Sequence, residues 1–154
     1  MPETFEPPVA AHPFFAGLDP RFVAQMAACV TQACYRTGEF IFHEDESADR
    51  FFLLCEGHVA LQIAAPGRGA ASFLTLGPGD VFGVNWMAAP YRWFYDAKAI
   101  EPARALVLDA VCLRQKCEKD HDLGYELMKR VLPVLIDRLH SCRLQLLDLY
   151  AARF

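Results

Sequence analysis

Positive charge is scarce in this chain of 154 residues: 15 lysines and arginines stand against 19 aspartates and glutamates, a formal net charge of −4. A DNA-binding surface draws much of its affinity from neutralising phosphates, so direct DNA binding by this chain is not expected. Long apolar runs are missing too, and none approaches the ~20 residues needed to cross a bilayer, so no membrane association is expected. The N-terminal "MPETFEPPVAAHPFF" lacks the basic start and apolar core of a signal peptide, which predicts a cytoplasmic protein.

Catalytic signatures are equally absent. The sequence holds no nucleophile elbow, no Walker loop, no dinucleotide-binding glycine fingerprint and no H-E-x-x-H helix. A non-catalytic protein without a metal or a cofactor is the expectation. The histidines stand apart from one another. In "GEFIFHEDE", His43 is followed by Glu44 and Asp45 rather than by further ligands, and a solvated turn accounts for that run better than a metal set. Cys29, Cys34, Cys55, Cys112, Cys117 and Cys142 are scattered through apolar segments. The pairs 29/34 and 112/117 lack the two-residue spacing of zinc knuckles, so buried free thiols are predicted.

What is present is a strong switch in period. Residues 1–13 read as a loose N-terminal arm. In "LDPRFVAQMAACV", Asp19 can cap a helix, Pro20 suits its first position, and Phe22, Val23, Met26 and Val30 share one face. From Ala33 to Asp109 the chain breaks into eight short runs rich in aromatic and aliphatic residues: "ACYRT", "FIFH", "RFFLLC", "HVALQIAA", "ASFLTLG", "DVFGV", "FYDAKAI" and "RALVLD". Seven of the nine glycines fall between 38 and 83, which makes this stretch strands and turns. The predicted fold is α+β but mainly β: an eight-stranded antiparallel jelly roll over 14–118 with flanking helices, then a long C-terminal helix over 119–154.

In that long helix Tyr125, Met128, Leu132, Leu135, Leu139, Cys142, Leu146 and Leu149 repeat at spacings of 3, 4, 3, 4, 3, 4 and 3. This is an unbroken coiled-coil seam and predicts a homodimer. A second stripe, Leu123, Leu127, Val131 and Val134, offers a face to the roll. Pro133 cannot donate its backbone hydrogen bond, so a kink or restart is expected there. No helix-turn-helix is expected beyond the seam.

The run "GEFIFHEDESADRFFLLCEGHVALQI", followed by "LTLGPGDVFG", resembles the cyclic nucleotide-binding domain of the catabolite-activator regulators, over roughly Pro13 to Tyr150. The resemblance implies a phosphate-binding cassette after the last glycine. Phe82 and Gly83 would open it, Val84, Asn85, Trp86 and Met87 would form its short helix, and Arg92 would meet the phosphate. Cys142 and Arg143 of the long helix would lie at the level of the base. The sequence departs from the family pattern in three places. Val84 stands where a glutamate usually accepts a hydrogen bond from the ribose. Aligning Ala97 with the family's alanine puts Tyr91 at the arginine position, so Arg92 is displaced by one residue and followed by Trp93. Asp45 replaces a turn glycine, which aspartate tolerates because it adopts left-handed geometry.

Three functional readings stay open at this point. The first is a sensing module for a cyclic nucleotide or another small anion that signals as a dimer to a separate protein partner. In this reading Trp86 and Trp93 form an aromatic wall for a ligand. The second is a ligand-free dimerisation or interaction module whose pocket Trp86, Tyr91 and Trp93 fill. The third is a haem- or redox-sensing relative of the family, in whose redox version Cys142 cross-links the dimer seam.

Overall fold

The computed structural model describes residues 11–67 and 69–152. Most of the expected loose arm, residues 1–10, lies outside them. The arm's last residues are anchored: His12 is buried, its Nε2 lies 3.0 Å from the Leu54 carbonyl, and Pro13–Phe15 forms one turn of 3-10 helix.

The first α-helix, α1 (Pro20–Ala27), is capped by Asp19, which accepts from the Arg21 N–H at 2.9 Å. It buries Phe22, Val23 and Met26 as expected. Val30 was expected on that helix and belongs to the first strand instead. It pairs with Leu108 there, and the β-branched Thr31 follows it. The strands are β1 (Val30–Tyr35), β2 (Phe40–Phe42), β3 (Arg50–Glu56), β4 (Val59–Ala65), β5 (Gly69–Leu76), β6 (Val81–Phe82), β7 (Asp96–Ala99) and β8 (Ala103–Asp109). They form two antiparallel four-stranded sheets in the orders β1-β8-β3-β6 and β2-β7-β4-β5. This is the expected jelly roll.

The run "RFFLLC" shows why strand periodicity is faint here. Phe51, Phe52, Leu53 and Leu54 are all fully buried. Phe51 and Leu53 face the helices, while Phe52 and Leu54 face the interior between the sheets. A strand covered on both sides reads as a continuous apolar run. β8 repeats the pattern, with Leu106 and Leu108 toward the helices and Ala105 and Val107 on the alternate face. The hairpin joining β3 to β4 requires Gly57: its φ is 83°, and a Cβ there would sit 2.2 Å from the Pro102 carbonyl oxygen.

Two helices follow. α2 (Ala110–Lys119) starts at Asp109, whose carboxylate accepts from the Cys112 N–H at 2.8 Å. α3 (His121–Ala151) starts at Asp120, which caps Asp122 and Leu123. Hydrogen bonding to Gln25 and to these two N–H groups holds the Asp120 carboxyl below the usual carboxylate range. α3 runs unbroken through Pro133. The expected restart does not occur: Pro133 removes a single bond, and Val131 and Val134 pack against the roll on either side of it.

The two stripes of α3 have opposite fates. Leu123, Leu127 and Val131 are buried against the first sheet's helix side. Tyr125, Met128, Leu132, Leu135, Leu139, Cys142, Leu146 and Leu149 are exposed along the other face.

The cysteines differ from expectation. Cys29 and Cys112 are joined as a disulfide, with their Cα atoms 5.8 Å apart. The fold brings them together because the Asp109 N–H donates to the Cys29 carbonyl at 2.9 Å, and neither spacing nor neighbours in the sequence signal the pairing. Cys34 and Cys142 are exposed rather than buried, and Cys55 and Cys117 are half-buried. Burial, with Glu118 and Asp120 nearby, pushes the Cys117 thiol up to about 11.

Candidate ligand-binding site

The candidate cassette begins where β6 ends. Phe82 is fully buried and stacks on Phe52, with centroids 4.6 Å apart. Gly83 then turns the chain at φ 82°. A Cβ at this position would meet the Trp93 ring at 2.9 Å and Phe52 at 3.0 Å. Only glycine meets both demands. Val84–Met87 follow as a 3-10 helix, over the residues expected for the short helix.

The two tryptophans do not form a common wall. Trp86 points into the cluster under the helices, 5.7 Å from the Phe51 ring, while Trp93 enters the roll interior and stacks on Phe42 at 4.0 Å. Their indole N–H groups are buried without a partner among the described residues. Arg114 of α2 holds the cassette from outside. Its guanidinium donates to the Trp86 carbonyl at 2.9 Å and lies 4.3 Å from the Tyr91 ring centroid.

Residues 91–93 pair with the acidic turn. The Ala48 N–H donates to the Tyr91 carbonyl at 2.6 Å, the Trp93 N–H to Glu46 at 3.0 Å, and the Asp45 N–H to Trp93 at 2.8 Å. The His43–Asp45 turn is exposed, and Asp45 adopts a φ of 70° as its left-handed tolerance allows. An extended segment sends alternate side chains to opposite sides. Trp93 therefore takes the inward direction and Arg92 the outward one. Arg92 donates to the Asp45 carbonyl oxygen at 2.7 Å, and Asn85 donates to the Arg92 carbonyl at 3.0 Å. Tyr91 is exposed under Arg114 and does not fill the roll.

A cavity of about 340 Å³ lies between the roll mouth, the cassette and α3. Leu61, Phe73 and Tyr95 line it from the strands and the loop before β7, Val84, Asn85 and Ala88 from the cassette, and Leu135, Arg138, Ser141, Cys142 and Gln145 from α3. Of the expected site residues, Val84, Asn85 and Cys142 meet here. Phe82, Gly83 and Trp86 stand behind the lining, Trp93 is in the core, Arg92 is turned away, and Arg143 is exposed on α3 outside the lining.

The charged group of the cavity is Arg138. Its guanidinium donates to the Val81 carbonyl. Burial lowers its affinity for the proton, opposed by Tyr95, Asp80 and Asp137. It remains a cation, as guanidinium does in proteins. Among the described residues, no carboxylate lies within ion-pair distance of it. Burial likewise pushes the Tyr95 phenol up, opposed by Arg138 and by a hydrogen bond with the Gly83 backbone. Arg138 escaped the sequence analysis, yet a signal was available. It lies four residues before Cys142, which puts it on the same helix face one turn earlier.

This arrangement sets a roll, a glycine-led short helix and a long helix around one cavity. The family profile described as "Cyclic nucleotide-binding domain" matches residues 32–120. The chain belongs to the cyclic nucleotide-binding domain family. A CRP-like cAMP-activated global transcriptional regulator of Mycobacterium tuberculosis (strain CDC 1551 / Oshkosh) is 28% identical over 136 residues, which is 88% of this chain and 58% of that protein. The chain thus spans a little over half the length of this curated relative. A crystal structure from Geobacter metallireducens GS-15, described as a cyclic nucleotide-binding protein, is 30% identical with a TM-score of 0.77, covering 86% of this chain and 96% of that one. The regulatory subunit of a cAMP-independent protein kinase A from Trypanosoma brucei shares the fold at 18% identity and a TM-score of 0.62, over 77% of this chain and 43% of that one. Members of the matched family are regulatory modules. Among the described residues, no helix is long and apolar enough to cross a membrane.

Proposed function

We propose that the chain is a non-catalytic sensing module whose cavity takes a small anionic ligand, a cyclic nucleotide or another small anion, with Arg138 as its counter-charge. The reading rests on one observation: a partly desolvated guanidinium, with no carboxylate within ion-pair distance among the described residues, lines an otherwise mostly apolar cavity of about 340 Å³. A charge in such a place costs free energy unless something of opposite sign offsets it. Asn85 and Gln145 also line the cavity, each with one amide N–H given to a backbone carbonyl, of Arg92 and Phe73 respectively. Val84 offers no acceptor to a ribose hydroxyl, which weakens a cyclic nucleotide relative to a pattern carrying glutamate there.

The signal would leave through α3. Arg138 shares that helix with the exposed seam from Tyr125 to Leu149, so a ligand that draws on Arg138 biases the element that joins two copies. A homodimer would then present the change to a separate protein partner. Such transmission requires the ligand to bind two arrangements with different affinity.

Isothermal titration with cAMP, cGMP and cyclic dinucleotides tests the ligand. Micromolar heat with one of them, lost in Arg138→Met, is expected. No heat with any, in protein whose circular dichroism shows it folded, rejects the nucleotide version. Sedimentation velocity tests the dimer, with Leu139→Glu expected to give monomer.

The second reading is a ligand-free interaction module. The observation that favours it is the packing of Trp93 against Phe42 inside the roll, with a cavity near the lower end of the roughly 300–1,000 Å³ range of ligand sites. Native mass spectrometry of freshly purified protein showing no bound small molecule, together with silent titrations, would favour this module over the sensor.

A further inference from the structure

The disulfide links points that the fold has already brought together. Cys29 closes the turn after α1, its N–H donating to Met26 at 2.8 Å. Cys112 lies on the first turn of α2. The roll occupies the sequence between them, a separation of 83 residues. Two contacts that do not involve sulfur hold the pair in register: the Asp109 N–H donates to the Cys29 carbonyl at 2.9 Å, and the Asp109 carboxylate accepts from the Cys112 N–H at 2.8 Å. A reduced pair therefore stays adjacent and needs no refolding to oxidise. The Cα separation of 5.8 Å lies in the ordinary range for disulfides.

The position of Cys112 gives the bond a consequence. Two residues further along α2, Arg114 grips the Trp86 carbonyl and covers the Tyr91 ring. At the other end of α2, Cys117 packs under Gly124 of α3, where an added Cβ would meet the Cys117 Cβ at 3.4 Å. The helix that carries one sulfur thus touches both the cassette and the root of α3.

We propose that Cys29 and Cys112 form a reversible redox staple that fixes α2, and through Arg114 the cassette segment, when oxidised and loosens both when reduced. The oxidant class is a small disulfide such as glutathione disulfide. The thiolate of Cys112, the less buried of the two residues, attacks one sulfur of the small disulfide. A mixed disulfide forms on Cys112 and one glutathione leaves as thiolate, which takes up a proton. The Cys29 thiol gives its proton to solvent and its sulfur displaces the second glutathione. The cysteine pair loses two electrons and two protons and the small disulfide gains them. Excess thiol runs the same steps backward.

The test uses the full chain and needs no ligand. Wild-type protein is equilibrated across a series of glutathione to glutathione disulfide ratios, trapped by alkylation, and mapped by mass spectrometry. Hydrogen exchange of residues 84–91 and 110–119 is followed in the oxidised and thiol-reduced states. A 29–112 cross-linked peptide that appears and disappears with the ratio is expected. With it, exchange in both segments should slow by about tenfold on oxidation. The double variant Cys29→Ser, Cys112→Ser should lack the response and Cys142→Ser should keep it. If the double variant does not fold, the two states of the wild type still give the comparison. The proposal is overturned if the 29–112 peptide never forms, if exchange is the same in both states, or if Cys142→Ser abolishes the response.

Discussion

The cassette, residues 83–94, and the cavity-facing turns of α3, residues 135–145, border the same space with opposite chemistry. In the cassette, Arg92 and Asn85 donate from their side chains to backbone carbonyls, while the indole N–H groups of Trp86 and Trp93 stay without a partner among the described residues. Arg92 gives its guanidinium to the Asp45 carbonyl and Asn85 gives its amide to Arg92. Its large side chains, Trp86 and Trp93, leave the cavity for two separate core clusters. α3 instead carries Arg138, Ser141, Cys142 and Gln145 to the lining, with Arg138 donating to the Val81 carbonyl and Gln145 to the Phe73 carbonyl at 3.1 Å. The family resemblance assigns the phosphate contact to the cassette, whereas among the described residues the cation lining this cavity, Arg138, comes from the helix. On the proposed reading, the helix that senses charge is also the helix that bears the exposed seam, and the cassette has a structural task.

If the cassette is structural, damage to it should register first in stability. The largest effect is expected for Trp93→Ala. Trp93 is fully buried and stacked on Phe42, and such a truncation costs about 3–5 kcal/mol. Urea unfolding should show it as a lower midpoint at unchanged slope. Trp86→Ala should cost a similar amount in the other cluster. A loss below about 1 kcal/mol at Trp93 would mean that the site collapses easily and would restore it as a candidate ligand wall.

Gly83→Ala comes next. The left-handed φ of 82° and a Cβ 2.9 Å from the Trp93 ring together predict a cost of about 2–4 kcal/mol. Because the clash is with Trp93, the two substitutions should not add. In a double-mutant cycle, Gly83→Ala should cost less in the Trp93→Ala background by ~1 kcal/mol or more. Strict additivity would show that backbone geometry alone, and not packing under the cassette, requires the glycine.

How far these features could be read from the amino-acid sequence depended on whether their cause was local. The strands and their turns follow from composition and glycine placement within a few residues, and the short helix at Val84–Met87 is implied by the family resemblance. The seam and the inner stripe of α3 follow from helical period. The differences at Val30, at the paired cysteines and at Arg92 are tertiary. Val30 left the helix because Leu108 offered a strand partner. Cys29 and Cys112 met because the roll closes between them. Arg92 kept its place in the chain, and only its pairing with residues 45–48 decided which way it pointed. The resemblance points to Cys142 and Arg143, whereas Arg138, one turn before Cys142, lines the cavity and Arg143 does not.

Arg138→Met separates the two regions by function. Methionine keeps much of the side chain's apolar volume and removes the charge. A charge-assisted contact to an anion is worth about 1.5–3 kcal/mol, so affinity for any ligand found by titration should fall by roughly tenfold to a hundredfold. Stability should hold or rise, because the substitution also removes a desolvated charge. Unchanged affinity would move the counter-charge elsewhere and break the contrast drawn between helix and cassette.

Arg92→Met should produce the smallest change of the set. Arg92 is exposed and its guanidinium donates to the backbone carbonyl of Asp45, itself an exposed residue. Exposed interactions of this kind contribute about 0–1 kcal/mol, so the unfolding midpoint should barely move. Ligand affinity should stay within about threefold of wild type, since no anion in the cavity can draw on a group held on the far side of the strand. A hundredfold loss in Arg92→Met would have a clear structural meaning. It would require residues 91–93 to release the acidic turn and reverse direction when ligand binds, with Trp93 leaving Phe42. Tryptophan fluorescence during the titration would report that exchange, because stacking on Phe42 and exposure to water give the indole different emission.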